Sequence, residues 1–180
     1  MRQVTIFDKN FKLFISYNKI YEAVKKIAGA INTDYNNAEP PVFISVLNGS
    51  FMFTADLFKE LHISASISFI RLASYKNEKS SGKVTEIIGL NEELTGKHVL
   101  ILEDILDTGI TLDYLRKNIL KKKPVSLKIA ALLFKKEALK KDIKPDYFGI
   151  EVPDRFLIGY GLDYKGLGRN YKDLYVCLDG

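Results

Sequence analysis

The sequence predicts an α/β domain built on a largely parallel, twisted sheet flanked by helices, on three observations. The runs "PPVFISVL", "VLILEDI" and "VSLKIAALLF" are short and continuously apolar, as strands covered on both faces are. Stretches with apolar residues at helical spacing lie between them. This alternation of strand and helix is the pattern of parallel β-α-β units. The chain has 180 residues, 47% apolar and 27% charged, which suits one globular domain with a sizeable core.

Taken in order, the opening "MRQVTIFDKN" is too polar for a signal peptide. "SYNKIYEAVKKIAGAI" reads as a helix, with Ile20, Ala23, Val24, Ile27 and Ile31 on one face and Ser16 as an N-cap. "PPVFISVL" is a strand that "NGS" breaks, and "FMFTADLFKELH" is the next helix. "ASISFIRLASY" reads as a strand. The polar "YKNEKSSGK" after it has no apolar anchor and reads as a mobile surface loop of the kind that serves α/β active sites as a lid. "VLILEDI" is a strand, "TLDYLRKNILKKK" a helix and "VSLKIAALLF" a third long strand; "DYFGIEV", "FLIGYGLDY" and "LYVCL" read as shorter ones.

Composition excludes several functions. No apolar run is long enough to cross a bilayer, so no membrane role is expected. Cys177 is the one cysteine, which forbids an internal disulfide and suits a reducing cytoplasm. His62 and His98 lack partners at ligand spacing, so zinc is not expected. The net charge of +5 is concentrated in "RKNILKKKP" and "FKKEALKKDIKP". Acidic and apolar residues interrupt both runs, which favours a solvated face over a nucleic-acid surface; a positive field also attracts anionic small substrates.

The chemistry concentrates in "VLILEDILDTGITL", Val99 to Leu112. An apolar strand ends in Glu103, Asp104 and Asp107, and a loop rich in threonine and glycine leads into a helix. In α/β sheets ligands bind beyond such strand ends. Gly109 permits a tight turn, Thr108 and Thr111 donate hydroxyls, and the first free N–H groups of the helix favour an anion, so Asp107 to Thr111 suits a phosphate. Three acids beside a phosphate are compatible if they face sugar hydroxyls, Mg²⁺ or a proton to be moved. Asp107 alone is also a credible helix cap. There is no G-x-x-x-x-G-K-[ST], no G-x-G-x-x-G after a strand and no G-x-S-x-G.

"ILEDILDTGITL" resembles the phosphoribosyl-pyrophosphate signature of type I phosphoribosyltransferases. "LNGSFMFTADL", "FIRLASYKNEKSSGKV", "ALLFKKEAL" and "PDYFGIEVPDRFLIGYGLDYKGLGRN" resemble, in order and spacing, the hypoxanthine-guanine phosphoribosyltransferase family, over roughly Pro41 to Leu178. The resemblance implies one phosphoribosyltransferase domain over 1–180, with a core of about 36–150 and a small hood made of the N-terminal segment and about 151–180. It implies transfer of a phosphoribosyl group to hypoxanthine and guanine with Mg²⁺, in a cytoplasmic homodimer or homotetramer that binds no nucleic acid.

By the same resemblance, Glu103 and Asp104 hold the ribose hydroxyls, and Asp107, Thr108, Gly109, Ile110 and Thr111 hold the 5′-phosphate. Asp107 is the general base towards purine N7. Lys135 contacts the base's exocyclic O6; a lysine only donates, which favours an oxo group over adenine's amino group. Phe156 stacks on the purine and Leu157 reads its edge through its backbone. Without the family, Lys135 reads as a surface lysine and Phe156 as a core aromatic. Asp163, with Glu103 and Asp104, belongs to the Mg²⁺ site. Asn48, Gly49, Ser74, Tyr75 and Arg169 serve the pyrophosphate, and Arg155 lies near the base. In "LNGS" the family can hold a non-proline cis peptide between the second and third residues, here Asn48 and Gly49. Asn48 stands where lysine is frequent and Ser50 where glycine is. The rival readings are a xanthine-preferring enzyme of the same fold and a regulator that senses phosphoribosyl pyrophosphate without chemistry. A phosphatase is disfavoured, because the acids do not form D-x-D-x-T.

Overall fold

The computed structural model describes residues 3–74, 84–88 and 92–178, with the backbone alone given at 73–74 and 84–88. The chain begins with a hairpin, β1 (Gln3–Ile6) and β2 (Lys9–Ile15), followed by α1 (Tyr17–Tyr35) and β3 (Val42–Leu47). Next come α2 (Phe51–Lys59), β4 (Ser66–Ser74), β5 (Val84–Ile88), β6 (His98–Leu106) and α3 (Ile110–Leu120). β7 (Ser126–Phe134), a 3₁₀ turn (Lys136–Ala138), β8 (Tyr147–Glu151), β9 (Leu157–Ile158) and β10 (Leu174–Cys177) complete it. The expected lid, Tyr75 to Lys83, lies outside the described residues.

The large sheet has the order β5-β4-β3-β6-β7-β8. Its five strands from β4 to β8 run parallel, and β5 is an antiparallel edge. Alternation along the strands explains why both faces are apolar. Phe43, Leu100, Leu102, Ala130 and Leu132 join a core with Ile20, Val24, Ile27 and Ile31 of α1 and Phe53 and Leu57 of α2. Their neighbours Val42, Ile44, Val99, Ile101, Ile129 and Ala131 pack on the other side against Leu112, Leu115 and Ile119 of α3. The connection from β3 steps to β4 on one side, while β6 steps to β7 and β8 on the other. The strand order therefore reverses between β3 and β6, which is where α/β sheets open a ligand crevice.

A second sheet, β1-β2-β10-β9, joins the two ends of the chain over a small core of Ile6, Phe11, Ile158, Tyr175 and Cys177. Three local expectations change. The N-terminal segment forms strands that its sequence had not been read to contain. "FLIGYGLDY" is strand only at Leu157–Ile158, because Gly159, Tyr160 and Gly161 all take positive φ, at 94°, 45° and 99°. Ser16 makes no side-chain cap; instead Asp173 accepts a 2.8 Å hydrogen bond from the Tyr17 N–H, so the far end of the chain caps α1.

Candidate active site

Two cavities adjoin at the C-terminal tip of β6. The smaller, about 80 Å³, is lined by Glu103, Asp107, Thr108, Gly109, Ile110 and Thr111 among others. It forms because Gly109 takes φ 73° at the start of α3, turning the free N–H groups of the first helical turn into the loop. A Cβ on Gly109 would lie 2.8 Å from Ile143 Cγ2, so the loop rests directly on the segment after the 3₁₀ turn. Lys140 ties the same place, its N–H donating to the Thr108 carbonyl at 3.0 Å.

The larger cavity, about 180 Å³, is lined by Gly49, Asp104, Asp107, Lys135, Phe156, Leu157, Asp163 and Arg169, together with Ile105 and Leu162. Residues separated by more than a hundred positions thus converge on the switch point. Asp107 and Ile105 line both cavities, so the two form one cleft with Asp107 at the join.

Glu103 and Asp104 belong to a strand, so their side chains diverge. Glu103 faces the smaller cavity and Asp104 the larger. Glu103 Oε2 is buried without a hydrogen-bond partner among the described residues. Burial, followed by repulsion from Asp104, pushes the Glu103 carboxyl well up from its usual range. Burial also raises Asp104 to about 6, against the lowering effect of its hydrogen bond from the Ile105 N–H. Gly49 packs on this second carboxylate: a Cβ there would sit 1.5 Å from Asp104 Oδ2. On its other side the Gly49 carbonyl would lie 2.0 Å from a Cβ on Gly161. The cis peptide is Leu47–Asn48, one bond earlier than expected. Ser50 is fully buried and does not cap α2; its hydroxyl lies 2.7 Å from Ser45 Oγ and donates to the Val46 carbonyl at 2.5 Å.

The cations of the cleft are already engaged. Arg169 meets Asp163 at 2.5 Å and donates to the Gly161 carbonyl at 2.6 Å. The Lys135 ammonium, with a side chain only 9% exposed, stands 3.1 Å from Asp154 and 3.6 Å from Asp107. Phe156 is exposed at the cleft, its ring centroid 5.7 Å from that of Tyr164 and 6.2 Å from that of Phe11. Those contacts brace the ring from the small sheet.

Other expected residues are not gathered here. Asn48 is exposed and lines neither cavity. Arg155 turns away, donating to the Cys177 carbonyl at 2.6 Å. Ser74 has only its backbone described and Tyr75 lies outside the described residues. Conversely, Asp154 and Tyr160 went unread. Tyr160 is buried and donates a 2.7 Å hydrogen bond to Asp56 on α2, anchoring the loop that touches Gly49. The only sequence signal for it was a tyrosine between two glycines.

The chain matches the model of the phosphoribosyl transferase domain over residues 16–165. It is 40% identical to a hypoxanthine-guanine phosphoribosyltransferase of Aquifex aeolicus, over 95% of this chain and 97% of that one. It is 41% identical to the enzyme of that name from Bacillus subtilis, over 88% of each chain. A crystal structure of a hypoxanthine-guanine phosphoribosyltransferase from Bacillus anthracis superposes with a TM-score of 0.87 at 37% identity, over 92% of this chain and 97% of that one. With this fold, this cleft and these relatives, the chain belongs to the hypoxanthine-guanine phosphoribosyltransferase family.

Proposed function

We propose that the cleft transfers the 5-phosphoribosyl group of phosphoribosyl pyrophosphate to hypoxanthine and guanine, releasing pyrophosphate in a purine salvage reaction. The observation that carries this reading is the position of Asp107 at the join of an anion-shaped cavity and a cavity walled by Lys135 and Phe156.

The smaller cavity takes the 5′-phosphate on the loop from Asp107 to Thr111, through N–H groups and two hydroxyls. Glu103 and Asp104 accept hydrogen bonds from the ribose hydroxyls, which supplies the unpaired Glu103 oxygen with a donor. Phe156 stacks on the base, and the Leu157 backbone meets its edge. Lys135 donates to O6 and has nothing to accept from an exocyclic amino group, so adenine is rejected. Asp107 takes the proton from N7 as the base attacks the anomeric carbon. Arg169 exchanges part of its bonding from Asp163 to the pyrophosphate oxygens, while Gly49 offers backbone to the same group.

Mg²⁺ fits the donor set, which is all carboxylate oxygen: Glu103 and Asp104 on β6 with Asp163 opposite. Among the described residues no cluster of three such side chains is preassembled for a metal. That suits an ion held by one or two carboxylates and by the substrate's own phosphates. When bound, it neutralises charge on the departing pyrophosphate.

We read the protein as a homodimer or homotetramer, which light scattering in solution would test, and, by its resemblance to the family, as cytoplasmic. The test of function is direct. With phosphoribosyl pyrophosphate, Mg²⁺ and hypoxanthine, the protein should form IMP and pyrophosphate in equal amounts. Binding of phosphoribosyl pyrophosphate without nucleotide formation would identify a sensor instead.

A further inference from the structure

Lys135 follows β7 and is fixed at its backbone, where its N–H donates to the Leu106 carbonyl at 2.9 Å. Its ammonium is buried, and a buried charge needs partners. Of its two carboxylates, Asp107 at 3.6 Å is beyond ordinary hydrogen-bond reach, while Asp154 at 3.1 Å is within it. Asp154 therefore holds the ammonium.

The backbone fixes Asp154 in turn. β8 pairs in parallel with β7, with Phe134 opposite Glu151. Directly after β8, the Val152 N–H donates to the Phe134 carbonyl at 2.9 Å, one residue before Lys135. Arg155 N–H closes a turn onto the Pro153 carbonyl at 2.8 Å. Asp154 is thus carried on a short rigid turn beside Lys135, two residues before Phe156. An ammonium has three N–H bonds. O6 of a bound base takes one and Asp154 a second, so the charge stays aimed at O6 without closing on Asp107.

We propose that Asp154 is a positioning residue for purine recognition: it holds the Lys135 ammonium towards O6 and keeps it from closing on Asp107. Without Asp154, Asp107 is the remaining anion within reach of the ammonium among the described residues, and the two groups meant for O6 and N7 pair with each other. The inference rests on the reading of the cleft as a 6-oxopurine site.

The test is a double-mutant cycle on the full chain with hypoxanthine and phosphoribosyl pyrophosphate. Asp154→Asn should raise KM for hypoxanthine about tenfold, as loss of a charge-assisted hydrogen bond does, and leave KM for phosphoribosyl pyrophosphate within about twofold. In a Lys135→Gln background the same substitution should change KM for hypoxanthine by less than about twofold, since it acts through the ammonium. Asp154→Glu should recover part of the loss. Equal losses in the two backgrounds, or a rise confined to phosphoribosyl pyrophosphate, would overturn the inference. Should Asp154→Asn prove insoluble, Asp154→Ser gives the same comparison. Failure of the unsubstituted protein to use any 6-oxopurine would instead sink the reading of the site.

Discussion

Glu103 and Lys135 face one cleft, yet the fold treats their charges in opposite ways. At the tip of β6 two carboxylates lie in sequence, one with a buried oxygen that no group among the described residues satisfies. At the opposite rim of the cleft these cations already have an acid each: Lys135 has Asp154, and Arg169 has Asp163. The strand tip is thus a demand for donors that ribose hydroxyls or a hard cation can meet. The rim is a set of internal pairs that the substrate must share or replace. On the proposed reading, a phosphate and a diol are recognised by what the protein leaves open, and a base by what it holds ready.

The largest effect that tests this contrast lies at the join of the two regions. Asp107→Asn should lower kcat by about 10²- to 10⁴-fold, the usual worth of a positioned general base. Affinity for phosphoribosyl pyrophosphate, measured by calorimetry, should change only a few-fold. Equal losses in both would make Asp107 part of the phosphate loop rather than the base.

A smaller effect follows from the support beneath the rim. Asp56 accepts from Tyr160 at 2.7 Å, and Tyr160 precedes the Gly161 that touches Gly49. Asp56→Ala leaves a buried phenol unpaired, so thermal unfolding should show a loss of about 1–3 kcal/mol. KM for pyrophosphate in the reverse reaction should rise, while KM for the purine nucleotide should hold. A loss of stability with no change at the pyrophosphate end would separate this network from the site.

The smallest effect lies in the strand tip itself and has the opposite sign. The folded protein raises Asp104 from 3.8 to about 6 and raises Glu103 as well. Between those values the folded state binds more protons than the unfolded one. This pair's contribution to stability therefore falls as pH rises through that window, and the cost persists above it. In the absence of Mg²⁺, Glu103→Gln should stabilise the protein at pH 8 and do little at pH 4, since it removes the buried charge. Substrate affinity should fall in the same variant. Destabilisation at pH 8 would mean that the carboxylate has a partner in the free protein.

The two regions were unequally legible in the sequence. The strand tip is contiguous: apolar run, acids, Thr-Gly-x-Thr and helix follow one another from Val99 to Leu112, and both the turn and its anion preference are local properties of the backbone. The parallel sheet was legible for the same reason, since β3, β6 and β7 are continuous apolar runs. The rim is assembled from separate segments, and family likeness was needed to bring Lys135, Phe156 and Arg169 together. Asp154 gave no signal, because its meaning lies in a lysine 19 positions away across a strand pair. The N-terminal hairpin was missed because its strands are short and mostly exposed, with Phe11 and Ile15 among its few buried residues. The cap of α1 came from Asp173, 156 residues from the N–H it serves, where a local pattern pointed to Ser16.

On the proposed reading, this cleft selects a base by a donor held ready for an oxo group. The most direct test is the ratio of kcat/KM for hypoxanthine to that for adenine, in the unsubstituted protein and in Lys135→Ala, with phosphoribosyl pyrophosphate and Mg²⁺ saturating. The ratio should be high and should fall by about 10-fold or more in the variant, through loss of hypoxanthine use. An unchanged ratio, or adenine accepted as well as hypoxanthine by the unsubstituted protein, would contradict it.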